Sequence, residues 1–491
     1  MADILGAMAA LEEESAPAAP AAETETPAVS STLAVEAPKE TAVVLCGTSD
    51  WPQGAKGASG KAAQKRDGAR GDEFNAPVVI NSLKGIRVLS LAVGPCAGHM
   101  LALTESGMYA WGLNASGQLG LGPSGGWCMP GPTPAPLWNV DGDRAVSAAV
   151  GNKHTLVVYA SGTVLSAGCG DRGALGYGEK EKDLPLTQDT PKAVVAGGNV
   201  EGGLKAVCVA AGCDYSLAAD GNGKMYAWGW TEHGKLGLGT DGQYNMKDSS
   251  VKITFSIEGE PKVVALPDDD AGKVVQVSAG KHHSACLTNE GFGYTWGDNG
   301  YGKLGHRDQK ERHSPTKLPM TRFSTLLCGD ASSCGLGWPD YPGRPFGAQL
   351  NDGLVYHWGV LKGSNGEGAT HPVPNYEIQG WTIDKHCFAM GATHVALAGE
   401  GSAVAWAQSP VAFGQLGLGP DAPKSTHTAK QMEGLADVGL VCAQVVASSG
   451  QTHLLCDAAT VAKLPTWDPP TEALTKPPEK VRAPPKKKAK T

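Results

Sequence analysis

Two stretches place a lysine where a bound phosphate would want one. Residues 229–235 (GWTEHGK) and 297–303 (GDNGYGK) both fit the G-x-x-x-x-G-K pattern of a phosphate loop. Such a loop also needs Ser or Thr next, to hold Mg²⁺, and a helix whose first amides face the phosphates. Leu236 and Leu304 occupy that place instead, so nucleotide binding is not expected at either. Residues 168–173 (GCGDRG) spell the dinucleotide fingerprint, yet no amphipathic helix or βαβ unit follows. Five histidines (His99, His154, His283, His394 and His453) follow a glycine at similar spacing and suggest a metal ring. Each belongs to a different copy of a repeat, which sets them too far apart to share one ion. A buried ring hydrogen-bonded to backbone is the better reading. The 12 cysteines never form C-x-x-C, so zinc-ribbon and thioredoxin chemistry is unsupported and buried reduced thiols are expected. The chemistry-bearing residues therefore predict no catalytic residue, no cofactor and no metal.

What must position them is a repeat, and it has two halves. One is an aromatic-Gly anchor followed by Gly-x-Leu-Gly. Clear copies are Trp111-Gly112 with 117–120 (GQLG), Trp228-Gly229 with 234–237 (GKLG), and Trp296-Gly297 with 302–305 (GKLG). Weaker copies start at Ala167-Gly168 and Trp406-Ala407, while Trp358-Gly359 and Cys46-Gly47 keep the anchor alone. That makes seven units. The other half, preceding the anchor, is Gly-x-x-His and a short apolar strand, as at Gly151/His154, Gly280/His283, Gly391/His394 and Gly450/His453. Apolar runs joined by a Gly-bearing tight turn predict β-hairpins. The first anchor, Val43–Gly47, lacks its own Gly-x-x-His strand, and the last such strand lacks its own anchor. Each end carries the half that the other needs. A ring sealed by pairing N-terminal with C-terminal strands meets both needs and hides the edges. The expected fold is an all-β, seven-bladed propeller closed by a composite N-/C-terminal blade.

Composition agrees. Gly supplies 67 of 491 residues and charged residues only 18%, which suits many short strands and all but excludes a helical protein. No apolar run is long enough to span a membrane, and the N-terminus lacks the basic start of a secretory signal. Residues 1–40 hold eight acids against one lysine and predict a disordered acidic tail. Residues 463–491 hold eight bases against three acids and predict a disordered basic tail. Between them, 41–462 is read as the propeller, interrupted at 54–73 by a flexible basic loop.

The hairpin and Gly-x-Leu-Gly pattern resembles the regulator of chromosome condensation repeat superfamily along the whole body. Residues 45–51 (LCGTSDW), 229–244 (GWTEHGKLGLGTDGQY), 380–386 (GWTIDKH) and 403–419 resemble its regulator of chromosome condensation 2 branch. The resemblance implies a non-enzymatic interaction platform: small-GTPase regulation of the guanine-nucleotide exchange type, in cell division at chromosomes, spindle or microtubules. A cytoskeletal or ubiquitin-pathway adaptor without GTPase activity is the alternative. Residues 249–259 (SSVKITFSIEG) alternate apolar and polar like a half-buried strand. They are read either as an outer blade strand or as a protruding wedge of the kind exchange members use against a small GTPase. On the second reading Val251, Ile253, Phe255 and Ile257 contact the partner. Lys486, Lys487, Lys488 and Lys490, held extended by Pro484 and Pro485, are a candidate nuclear-import or polyanion-binding cluster. With the Lys56–Arg70 loop they are the expected contacts to microtubules or chromatin. A monomer distributed between nucleus and cytoplasm, with no membrane partner, is expected.

Overall fold

Each blade is a strand run whose inward positions are Val, Leu, Ala and Trp and whose ends are glycine turns. In the computed structural model, residues 37–51, 71–178, 184–195, 203–245, 253–267, 272–338, 354–360, 368–407, 411–436 and 438–474 are described. They form seven antiparallel blades around a central axis.

Blade one comprises Val88–Ala92, His99–Thr104, Gly107–Leu113 and Cys128–Pro134, in that order from the axis outward. Blade two comprises Ala145–Val150, His154–Tyr159, Val164–Gly168 and Gln188–Ala193. Blade three comprises Cys208–Ala211, Tyr215–Ala219, Met225–Trp230 and Ile257–Val264. Blade four begins with Val274–Ala279, His283–Thr288 and Phe292–Gly297 and shares the long strand Arg312–Cys328 with blade five. Its first part is the outer strand of blade four, and its second is the inner strand of blade five. Blade five continues through Ser332–Gly337, Val355–Gly359 and Ala369–Asn375. Blade six comprises Phe388–Met390, His394–Gly399, Ser402–Ala407 and Lys430–Gln431.

Blade seven is composite, as the ends of the array require. Cys442–Ala447 and Gln451–Asp457 come from the C-terminal part, and Thr41–Thr48 and Glu73–Ile80 from the N-terminal part. Thr41 pairs with Asp457 and the register runs without a break to Gly47 opposite Gln451. No helix among the described residues is long and apolar enough to cross a membrane.

One boundary moves. The charge and proline content past 462 predicts a tail, but 463–474 fold onto the ring. Thr466–Trp467 runs parallel to Val79–Ile80, the Trp467 ring lies edge-on to Phe74 at 5.2 Å, and Leu474 exchanges backbone hydrogen bonds with Trp127 and Cys128. Two apolar side chains and free sheet-edge backbone groups outweigh the charge and proline content that suggested a tail. Residues 1–36, 52–70 and 475–491, with the Lys486–Lys490 cluster, lie outside the described residues.

Candidate partner-binding face

The Gly-x-x-His turns and Gly-x-Leu-Gly loops meet on one face of the ring, and a repeated polar link between blades holds them there. His99 Nε2 lies 2.8 Å from Thr155 Oγ1 of the next blade, and Thr155 donates to the Gln118 carbonyl of blade one. His154 reaches Ser216, which donates to Ala174. His283 reaches Ser333, which donates to Lys303, and His394 reaches Thr452, which donates to Gln415. Tyr215 stands in for histidine in blade three, where Ser284 contacts its hydroxyl and donates to Lys235. The partner is thus a hydroxyl of the neighbouring blade rather than backbone, and it sits one residue after that blade's own histidine position. Sequence reading missed these hydroxyls; their signal was the Ser or Thr following the repeat position.

The glycine of the motif has a steric reason. A Cβ on Gly151 would lie 2.4 Å from the His154 ring and 2.5 Å from the Gly212 carbonyl of the next blade. The Gly-x-Leu-Gly loops serve the anchor tryptophans in the same way. Trp296 is fully buried and donates its indole N–H to Lys235 of blade three, and a Cβ on Gly237 would collide with that indole nitrogen.

One assignment needs correcting. His453 is not a repeat-equivalent histidine: Gln451 is the residue opposite anchor Gly47, and His453 lies two places further along the same strand face. The sheet register, set by the apolar faces of four strands, overrides the local G-x-x-H spelling.

A His–Ser pair invites comparison with nucleophilic catalysis, and the geometry argues against it. Ser216 and Thr155 are completely buried, and each hydroxyl proton is committed to a carbonyl, so the imidazole donates to the hydroxyl rather than accepting from it. Burial pushes His99 down to about 3 and His154 down to about 4, too weak for a general base at neutral pH.

Charge gathers on this face where blades two to five meet. Asp214 receives Arg172 of blade two and lies 2.9 Å from Lys235 Nζ, whose side chain is wholly buried. Burial alone would raise the Asp214 carboxyl, but Lys235 and Arg172 hold it below the ordinary range. Lys303, nearly as buried, pairs with Asp298, and Lys281 reaches Asp330 at 3.3 Å. A cavity of about 190 Å³ opens between blades two and three beside Asn152, Asp171, Arg172 and Asp214. The lysines that spelled phosphate loops are therefore neutralised by carboxylates of their own blades. Beside them the Glu232, His233 and His282 side chains converge, with ligand atoms within 4.8 Å of one another.

From the same face rises a hairpin, Gln243–Asn245 paired with Ile253–Phe255. The expected strand over 249–259 is broken at Ser256, which accepts from Thr231 and donates to Gly242. Phe255 packs edge-on to Trp230 at 5.9 Å, and the Arg172 guanidinium covers that indole at 4.7 Å. Ile257 belongs to the outer strand of blade three opposite Trp230 and lies against the Gly173 loop of blade two. Of the four candidate contacts, then, Ile257 is a blade residue and Phe255 a root of the hairpin. Ile253 is placed by its backbone alone, and Val251 falls outside the described residues. Tyr244, absent from that group, is the exposed aromatic of the hairpin.

A family model described as RCC1-like domain matches residues 42–456. The chain belongs to the RCC1-like domain family. Among curated proteins the chain is similar to the Protein RCC2 homolog of Danio rerio, 29% identical over 425 residues, covering 82% of this chain and 79% of that protein. Human Protein RCC2 is 28% identical over 421 residues, covering 82% and 74%. Among solved structures, Saccharomyces cerevisiae Prp20p superposes with a TM-score of 0.64 at 18% identity, covering 88% of this chain and 96% of that one. At that identity the likeness is one of fold, and it agrees with the RCC1-like ring closed by its own ends.

Proposed function

We propose that this RCC1-like propeller is a non-enzymatic platform that regulates a small GTPase by promoting nucleotide exchange, acting in cell division at chromosomes, spindle or microtubules. The observation that carries the reading is the hairpin rooted on Trp230 beside the Arg172–Asp214–Lys235 cluster, a stiff projection next to dense fixed charge. Relatives support it: Prp20p, of the same fold, is described together with its binding to Gsp1p and histones. In this proposal the projection engages the GTPase, and the tail lysines 486, 487, 488 and 490 with the Lys56–Arg70 loop engage an anionic polymer or an import receptor.

The test is capture of a panel of small GTPases by the full chain, comparing nucleotide-free with nucleotide-loaded forms. Preference for the nucleotide-free form is expected, because exchange works by stabilising that state. Tyr244→Ser should lose the interaction with an unchanged melting temperature. Equal capture of both forms, or none across the panel, would instead assign the propeller to adaptor work without GTPase activity.

A further inference from the structure

We propose that the seam between blades three and four holds a divalent transition metal, of the zinc class, on Glu232, His233 and His282. The three side chains come from two separate turns. Glu232 and His233 belong to the loop after the anchor of blade three, and His282 to the Gly-x-x-His turn of blade four. Their ligand atoms lie within 4.8 Å of one another, and the two imidazole centroids are 5.5 Å apart. An ion with bonds of about 2.0–2.2 Å to His N and carboxylate O draws such a set together by small side-chain rotations.

His233 sits in left-handed backbone at φ 65°, as Tyr301 does at the same place of the next blade, so this turn is a property of the repeat. Three features single the group out from ordinary surface polarity. His233 Nδ1 lies 2.6 Å from Glu311, the carboxylate-on-histidine arrangement that fixes ring orientation and leaves Nε2 to face an ion. Glu232 is steadied through one oxygen by the Trp230 indole N–H at 3.1 Å, which leaves the other oxygen available. His282 Nδ1 is buried without a hydrogen-bond partner among the described residues.

The nearby Lys235 and Lys303 are paired with Asp214 and Asp298, which offsets part of the repulsion they exert on a dication. Two imidazoles and a carboxylate suit Zn²⁺, Co²⁺ or Ni²⁺ and suit Ca²⁺ or Mg²⁺ poorly. Such an ion would clamp blade three to blade four on the face that carries the hairpin.

The experiment is titration of the full chain, stripped with a chelator, with Co²⁺ as a coloured probe, followed by displacement with Zn²⁺. Expected are ligand-field bands of a low-symmetry nitrogen and oxygen site at one equivalent, and a raised melting temperature. His233→Asn, which tolerates the left-handed turn, should abolish the bands while the metal-free protein melts as before. Glu311→Gln should weaken binding about 10–100-fold. Glu232→Gln is the second ligand variant, used if His233→Asn does not fold. Absence of the bands in the native chain overturns the site, as does a spectrum dominated by thiolate charge transfer. Bands unchanged in the ligand variants overturn it equally.

Discussion

The seam between blades two and three and the seam between blades seven and one do the same work with different chemistry. At the first, His154, Ser216 and the Ala174 carbonyl form a continuous buried link, and the Trp228 indole donates to the same carbonyl. At the second, Gln451 stands in the histidine position and Met100 in the hydroxyl position, so the link cannot form. Other devices cross that seam. Gln444 of blade seven accepts from the Leu91 N–H at 2.7 Å and donates to its carbonyl at 3.0 Å. Arg87 of the blade-one approach binds the Ala37 and Pro38 carbonyls, and Thr41 caps Val88 at 2.9 Å. On the outer rim the 463–474 segment starts on blade seven and ends on Cys128 of blade one. Interior seams rely on a link of two side chains that ends on a carbonyl. At the closing seam single side chains, Gln444, Arg87 and Thr41, bond directly to backbone.

That contrast predicts where the ring fails first. Deleting residues 1–53 removes Thr41–Thr48, stripping Gln451–Asp457 of one partner strand and exposing Leu454, Leu455 and Cys456, now buried. Insoluble or unfolded protein is expected. Deleting 1–36 spares every one of those contacts and should leave the melting temperature within a degree or two. Equal stability of the two truncations would show that the ends do not close the ring.

Acid should act on the interior seams next. Burial holds His99 down to about 3, and His154 and His394 down to about 4, whereas unfolded histidine titrates near 6.5. Between those values the unfolded chain binds more protons, so stability is complete above about pH 6.5 and falls as pH drops towards 4. The loss is on the order of 1–3 kcal/mol per ring. His154→Gln, which copies the closing seam, should flatten the dependence of melting temperature on pH. A slope identical to the native one would mean that the ring at this seam does not report on folding.

The fold was legible in the sequence because the repeat states its own periodicity and its two incomplete ends are complementary. Finer features were not, for identifiable reasons. GQTHL at 450–454 spells the motif, but the anchor at Gly47 selects Gln451, a long-range pairing that local spelling cannot show. Alternation from Val251 to Glu258 reads as one strand, while the Ser256 bonds to Thr231 and Gly242 divide it into hairpin and blade. His233 and His282 look unrelated along the chain and meet only because blades three and four adjoin. The charged cluster hid inside lysines whose spacing suggested phosphate. Once the ring forms, Asp214 claims Lys235 and Asp298 claims Lys303.

A smaller effect separates the seams residue by residue. Ser216→Ala leaves His154 and the Ala174 carbonyl without their shared hydroxyl in a fully buried place, which costs about 1–3 kcal/mol. Met100→Leu, at the matching place on the closing seam, conserves volume and breaks no polar link, and should cost less than about 1.5 kcal/mol. Urea unfolding of the two variants measures the difference. Equal costs would mean that the hydroxyl link adds nothing beyond packing.

The rim segment supplies the last and smallest comparison, because it divides what holds the ring from what merely follows it. Ending the chain at Leu464 removes the Pro465 carbonyl that accepts from Val79 at 2.8 Å, the Trp467 ring on Phe74, and the Leu474 bonds to blade one. Burial of part of one large aromatic and a few backbone bonds suggests a loss of about 1–3 kcal/mol, seen as a lower melting temperature and faster hydrogen exchange in Glu73–Ile80. Ending the chain at Leu474 keeps all of these and should change neither quantity. Alanine at Lys486, Lys487, Lys488 and Lys490 should likewise leave stability alone. Under the proposed function it should also move the protein from nucleus to cytoplasm and reduce the salt-dependent part of polyanion binding, since each lysine that neutralises a phosphate favours binding by releasing a counterion. If truncation at Leu464 were silent, the closing seam would rest on Thr41–Thr48 and Gln444 alone. If the lysine variant melted early, the division at Leu474 would be wrong, and the run that follows would belong to the ring.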